Sequence, residues 1–222
     1  MKTEFLIVRH GETPWNVERR IQGWRDIELN DLGRRQAQAV ARHLAARHGE
    51  GQERIDAIYS SDLKRAQQTA TFLADELAMP LNLTDGVRER NYGILEGIPF
   101  PEMQQHYPEV AKVWASRHPD GVIPSGETLR QFHRRVTSAI EAIATNHRGQ
   151  RVVVVTHGGA MDILWRQASG ADIQDPRKAV LLNASINRIA LTAAESQFDW
   201  SLIEWGNVEH LQKAETGDDV TP

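Results

Sequence analysis

The sequence predicts an α/β fold: a mostly parallel sheet with helices on both faces and an antiparallel pair at one edge. Three observations predict it. FLIVR (5–9) and RVVVVT (151–156) are short, continuous, β-branched apolar runs, as strands covered on both faces are. Between such runs stand segments whose apolar residues recur three and four apart, the rhythm of helices. Near the end, INRIALTA (186–193) and FDWSLIEW (198–205) alternate apolar and polar residues across a short polar AESQ, which reads as an edge hairpin. Strand followed by helix, repeated, is the signature of a parallel sheet sandwiched by helices.

The elements follow in order. After the first strand, Asn30 suits the N-cap of a helix over 31–48, and the polar, Gly-containing ARHGEGQER (46–54) is a loop. IDAIYS (55–60) is a weaker strand. Ser61 suits the N-cap of a helix over 62–78, in which Leu63, Ala66, Ala70, Leu73 and Leu77 share a face. A short strand over 81–84 leads into the Gly-containing loop DGVRERNYGILEG (85–97). Residues 99–124 contain Pro99, Pro101, Pro108, Pro119 and Pro124; they read as irregular, with one short helix near 107–117. Leu129, Phe132, Val136 and Ile143 mark the next helix. The tail QKAETGDDVTP (212–222) has little to bury and reads as mobile. We expect one domain over 1–211.

Composition narrows the function. The 222 residues, 40% hydrophobic and 25% charged, are those of an ordinary globular chain. A net charge of −4 and a pI near 6.1 advertise no basic face for nucleic acid. With no cysteine there is no disulfide, thiolate nucleophile or sulfur-ligated metal. No apolar run approaches the roughly 20 residues of a membrane span, and MKTEFLIVRH moves straight into a core strand. The expected compartment is the cytoplasm, with no membrane and no nucleic-acid partner.

In a parallel α/β sheet, ligands bind beyond the carboxyl ends of the strands. Three such ends carry chemistry. The first runs into Arg9-His10-Gly11. The second runs into SSDLKRAQQTA, which places Arg65 in the first turn or so of a helix. The third runs into THGG, which places His157, Gly158 and Gly159 at another helix start. Helix N-termini present unsatisfied N–H groups to anions, glycines let the backbone come close, and arginine forks match phosphate oxygens. Two arginines, two histidines and helix starts at neighbouring strand ends describe a pocket for a phosphoryl group.

Neutral imidazole is a nucleophile near pH 7, so His10 is the best candidate nucleophile in a chain without cysteine. The proton source should be a carboxyl group, and spacing leaves Glu89 and Glu96 both open. Taken singly, each residue has a blander use: His10 as a solvated strand-end histidine, His157 as a helix-start residue, Arg65 as an ion-pair partner of Asp62 or Glu89. Histidines 43, 48, 106, 118, 133, 147 and 210 read as surface residues. Among them His118 stands in a Pro-rich loop that would overhang the site. Trp15 and Trp24 suit core packing better than a pocket rim. There is no HExxH and no GxxxxGK[ST], so no catalytic metal is expected.

The blocks VRHGETPWN, IQGWRDIELNDLGRRQA, SSDLKRAQQTA, ERNYGILEG and VVTHGG occur in this order between residue 5 and about 193. Together they resemble the histidine phosphatase superfamily, the group of cofactor-dependent phosphoglycerate mutases and metal-independent phosphomonoesterases. The resemblance implies a three-layer α/β/α sandwich. It implies that His10 becomes phosphorylated, that Arg9, Asn16, Arg65 and His157 hold the phosphoryl group, and that Glu89 rather than Glu96 is the acid/base. Gln22, Gly23, Tyr92, Gly158 and His118 are the further candidate substrate contacts.

Mutases of that family carry GLNK, and paired arginines after a tryptophan, in the segment following the acid/base loop. Here GIPFPEM and Ala115-Ser116 stand instead, and the segment before PSGETLRQF is short. These departures favour a hydrolase of a small phosphorylated metabolite, with Lys112, Arg117 and His118 left as candidate contacts. No cofactor is expected; 2,3-bisphosphoglycerate would enter only for the mutase alternative. A non-catalytic phospholigand-binding module is the second alternative, weakened by an intact His10 and Glu89. An exposed edge hairpin or helix face would support a homodimer.

Overall fold

In the computed structural model, which describes residues 1–49, 54–194 and 197–211, the sheet has six strands in the order β3-β2-β4-β1-β5-β6. They are β1 (Lys2–Arg9), β2 (Ala57–Ser61), β3 (Leu81–Thr84), β4 (Arg151–Thr156), β5 (Ile186–Ala193) and β6 (Phe198–Asn207). β3, β2, β4 and β1 run parallel, while β5 and β6 pair antiparallel and form one edge, as the alternating pattern predicts. The tail at 212–222, part of the 46–54 loop and two residues of the hairpin turn lie outside the described residues.

Side chains alternate across β1 and β4 and so build two cores. Phe5, Ile7, Val152 and Val154 pack against helices α6 (Leu129–Asn146) and α7 (Gly158–Ser169). Leu6, Val8, Val153 and Val155 pack on the other face against α2 (Asp31–Arg47) and α3 (Lys64–Leu77). Three layers result, and central strands buried on both faces are why their sequences are unbroken apolar runs. Each fully buried Ile, Val or Phe contributes about 1.5–3 kcal/mol through apolar burial. Asn30 caps α2 as expected, accepting a hydrogen bond from Gly33 N–H at 2.8 Å.

The strand read over 55–60 is Ala57–Ser61, the last strand runs on to Asn207, and two helical regions also differ from the sequence reading. The helix expected from residue 62 starts at Lys64, because Ser61 is still paired with Thr84 in the sheet and does not act as its cap. Residues 99–124 hold two helices rather than one: α4 (Phe100–His106) and α5 (Pro108–Ser116). Tyr107, at φ −140° and ψ 64°, breaks the first, and Pro108 begins the second, where its fixed φ and missing N–H cost nothing. With Ile21, Leu95 and Ile123 they form a small third core above the strand ends.

The register positions the site. β1 and β4 are hydrogen-bonded neighbours with Arg9 opposite Thr156, and His10 N–H extends the ladder to Thr156 O at 2.9 Å. The next residues, His10 and His157, therefore leave the sheet side by side.

Candidate active site

A cavity of about 70 Å³ opens beyond these strand ends. Its lining includes Arg9, His10, Asn16, Gln22, Gly23, Arg65, Glu89, Tyr92 and Gly158, which the sequence singled out. It also includes Trp15, Arg19, Arg20, Trp114, Gly159 and Arg177. Five arginines and one carboxylate thus face the same space.

His10 Nδ1 lies 2.7 Å from the carbonyl of Gly11. A carbonyl only accepts, so Nδ1 carries the ring proton and Nε2 keeps its lone pair. Burial holds the imidazole pKa well below its ordinary 6.5, and the charges of Arg65 and Arg9 push it in the same direction. The ring is therefore neutral at pH 7, the nucleophilic form. Gly11 N–H donates to Thr69 Oγ1 at 3.0 Å, tying this loop to α3.

Arg65 is fully enclosed in the first turn of α3. Its two terminal nitrogens donate to the carbonyls of Arg25 and Gly23 at 2.8 Å, while its Nε has no hydrogen-bond partner. Burial lowers its pKa to about 10, which leaves it a cation at neutral pH. The same bonds draw Gly23 to the cavity. That residue adopts φ +50°, and a Cβ there would fall 2.1 Å from Glu96 Oε1. Arg9 donates to the carbonyl of Leu181 and lies against Gly158.

His157 is wholly buried beside His10, with ring centroids 5.2 Å apart, and does not itself line the cavity. Ser61 Oγ accepts from Leu63 N–H and lies within hydrogen-bond distance of His157 Nε2, at 2.8 Å. The other ring nitrogen, Nδ1, is buried and has no hydrogen-bond partner. Burial first, then Arg65 and His10, lower the pKa well below 6.5, so His157 is a neutral donor and not a cation. Asn16 closes a capping box on the short helix α1 (Pro14–Val17), its Oδ1 accepting from Thr13 N–H and Oγ at 3.0 Å. Its amide nitrogen is the end left for a ligand.

Glu89 follows β3 and one 3-10 turn (Asp85–Val87). Its Oε1 accepts from Arg90 N–H at 2.7 Å and its Oε2 from Gly159 N–H at 2.8 Å, at the start of α7. A Cβ at Gly159 would fall 2.1 Å from Glu89 Oε1, so any larger residue would push the carboxylate aside. Glu96, the rival, is engaged in holding loops, with Oε1 accepting from Trp24 N–H and Tyr92 N–H, and does not line the cavity.

Several expectations are corrected. His118 is exposed and outside the cavity, because its ring closes a local turn by accepting from Asp120 N–H at 3.2 Å. Lys112 is likewise exposed and pairs with Glu109. Trp15 lines the cavity instead of packing in the core. Trp24 caps the Glu89 carbonyl through Nε1 at 2.8 Å. His43, His48, His133, His147 and His210 are half-buried, not surface residues; His147, for example, packs edge-on against Tyr59. Asp62 pairs with Arg88, which leaves Arg65 to the cavity.

Sequence reasoning missed Arg135. From α6 it donates to the carbonyls of Asp85, Gly86 and Arg88 at 3.1 Å and Glu89 at 3.0 Å, and pairs with Glu127 at 2.8 Å. It sits among the polar positions of an amphipathic helix, where no pattern distinguishes it from a solvated arginine. Among the described residues no three His, Cys, Asp or Glu side chains converge to hold a metal, and no helix is long and apolar enough to cross a membrane.

Known proteins resemble this chain over most of its length. Phosphoglycerate mutase-like protein 4 of Arabidopsis thaliana is 41% identical over 216 residues, 96% of this chain and 88% of that protein. The metal-independent phosphoserine phosphatase of the same plant is 39% identical over 215 residues, 94% of this chain and 83% of its own. A mycobacterial glucosyl-3-phosphoglycerate phosphatase superposes with a TM-score of 0.77 at 25% identity, covering 94% of this chain and 100% of that one. The model of the histidine phosphatase superfamily (branch 1) matches residues 5–208, and with its paired strand-end histidines the chain belongs to that superfamily.

Proposed function

We propose that this histidine phosphatase hydrolyses the phosphomonoester of a small metabolite without a metal, through a phosphohistidine on His10. One observation carries the reading: a neutral His10, its Nδ1 engaged by Gly11 O, shares a single cavity with the Arg65 guanidinium and the Glu89 carboxyl group.

In the first step the Nε2 lone pair of His10 forms a P–N bond in line as the P–O bond to the leaving group breaks. Glu89, as the carboxylic acid, gives its proton to the departing oxygen. The guanidiniums of Arg9 and Arg65 set positive charge against the three equatorial oxygens, while the neutral Nδ1–H of His157 and the amide of Asn16 donate hydrogen bonds to them. In the second step the Glu89 carboxylate takes a proton from water, the water oxygen bonds to phosphorus, and the P–N bond breaks. Inorganic phosphate and free His10 result, so arginines rather than a metal or cofactor do the charge work.

The 39% identity to a metal-independent phosphoserine phosphatase supports hydrolysis. The mutase alternative rests on the 41% identical mutase-like relative, but Ala115 and Ser116 follow Trp114 where that reaction calls for cations. Rapid quenching with a ³²P-labelled ester tests the proposal. Acid-labile label should appear on the wild type, disappear in His10→Ala, and turn over in excess EDTA. A wild type that hydrolyses no ester of a metabolite panel, or that interconverts phosphoglycerates faster than it hydrolyses them, would overturn it.

A further inference from the structure

A second cavity of about 240 Å³ adjoins the first, and the two share Tyr92, Trp114, Gly159 and Arg177 in their walls. Gly159 is the residue whose N–H binds Glu89, so the second cavity begins beside the group that would protonate the leaving oxygen. Its walls are of two kinds. Tyr92, Trp114, Leu129, Phe132 and Ile163 make an apolar and aromatic surface. Arg90, Arg117, Arg177 and Asp162 make a charged one, with three cations against one anion.

These cations are not equally committed. Arg90 directs Nε and one terminal nitrogen at the carbonyl of Glu127, at 3.0 and 2.8 Å. Arg117 donates to Ile173 O at 3.0 Å and to Asp162 Oδ2 at 2.9 Å. The buried Asp162 also accepts from Arg166 Nε at 3.0 Å; both bonds fall on Oδ2, while Oδ1 has no hydrogen-bond partner. Arg177 faces Oδ1 as the third guanidinium around this one carboxylate, so the cluster carries surplus positive charge. Arg177 meets Asp162 only at 3.7 Å, and its buried Nε has no hydrogen-bond partner. A desolvated cation in that state favours an incoming anion. The volume matters too: an apolar cavity of about 150 Å³ already admits benzene. This one exceeds what a three-carbon acid fills.

Resting on the phosphomonoesterase reading above, we propose that the second cavity receives a ring-sized leaving group carrying a second anionic group, and that Arg177 selects for that anion. The aromatic wall takes the body of the leaving group and the Arg177–Arg117 side takes its carboxylate.

The test uses aryl phosphates with a para carboxylate, attached directly or through two methylenes, each paired with its carboxamide. Hydrolysis-resistant phosphonates of the same four compounds are titrated calorimetrically. Wild type should favour at least one carboxylate over its amide by ten-fold or more, in kcat/KM and in Kd. Arg177→Gln should reduce that ratio below about two-fold, and Arg177→Lys should keep most of it. Equal handling of both carboxylates and their amides by wild type, no phosphonate binding, or an undiminished ratio in Arg177→Gln would overturn the inference. Preference among the phosphonates without turnover of any ester would instead sink the hydrolase reading and leave this one standing. An Arg177 that merely neutralises Asp162 would lower the melting temperature on substitution and leave the ratio unmoved.

Discussion

The carboxylate of Glu89 is fastened to the backbone N–H of Gly159 at 2.8 Å, so a residue from the loop after β3 takes its position from the first turn of α7. Alanine at 159 would place a methyl group 2.1 Å from Glu89 Oε1. In a helix that substitution ordinarily stabilises by about 1 kcal/mol. We therefore expect Gly159→Ala to keep its fold by circular dichroism while kcat falls about 100-fold, the cost of displacing a catalytic group by an ångström. Unchanged kcat would show that Glu89 is not positioned this way.

Arg135 ties four successive features of the Glu89 loop to α6 and pairs with a largely buried Glu127. Arg135→Met should lose about 2–3 kcal/mol in urea unfolding, because Glu127 is left without its cation. It should also lower kcat more than it raises KM, since the loop it steadies holds the proposed proton donor and not the phosphate.

The mechanism proposed above has the ring proton of His157 on Nδ1, which Ser61 keeps there by donating to Nε2. In Ser61→Ala the Nε2 of His157 loses the hydroxyl at 2.8 Å, and the proton is free to move from Nδ1. ¹⁵N shifts of labelled histidine should report the tautomer change, and kcat/KM should fall about ten-fold with the loss of one oriented donor. A retained Nδ1–H tautomer in the variant would contradict the assignment.

Acid should destabilise the fold through its histidines. In the unfolded chain a histidine takes up its proton near pH 6.5. In the fold, burial keeps His10 and His157 neutral to well below that value, and holds His210 to about 4. Below pH 6.5 the unfolded state therefore binds protons that the folded state refuses, and stability falls as pH falls. The urea midpoint should be level above about pH 7 and decline from about pH 6.5 towards pH 4. His10→Gln should have a shallower decline, and an identical slope would refute the buried neutral state.

The sheet was legible because its strands are buried on both faces, which leaves unbroken runs such as Val152–Val155 in the sequence. The hairpin was legible from its short polar turn and from β6, an edge strand whose residues are half-buried or exposed, unlike those of the covered central strands. Residues around 107 read as one helix, although Pro108 marks the break, since a residue before proline is driven out of the helical region and Tyr107 has φ −140° and ψ 64°. Within the site, the residues delivered by strand ends and helix starts, among them His10, Arg65 and Gly158, could be placed from local pattern. Arg135, Arg177 and Trp15 could not. Arg135 and Arg177 reach their positions through long-range contacts, and in the chain each looks like a solvated arginine, as Trp15 looks like a core tryptophan. His118 erred the other way: proximity in sequence to a lid suggested proximity in space, but a two-residue turn captures its ring.

The pairing of Arg9 with Thr156 joins two properties that are often separable. Slipping β1 by one residue against β4 would turn Phe5 and Ile7 towards the α2–α3 side and part the two imidazoles at the same stroke. Variants that loosen the central strands must lose turnover and solubility together. The α4–α5 cover and the residues around Arg177 carry no sheet register, so recognition of new leaving groups can be grafted there while the phosphoryl chemistry beneath is left untouched.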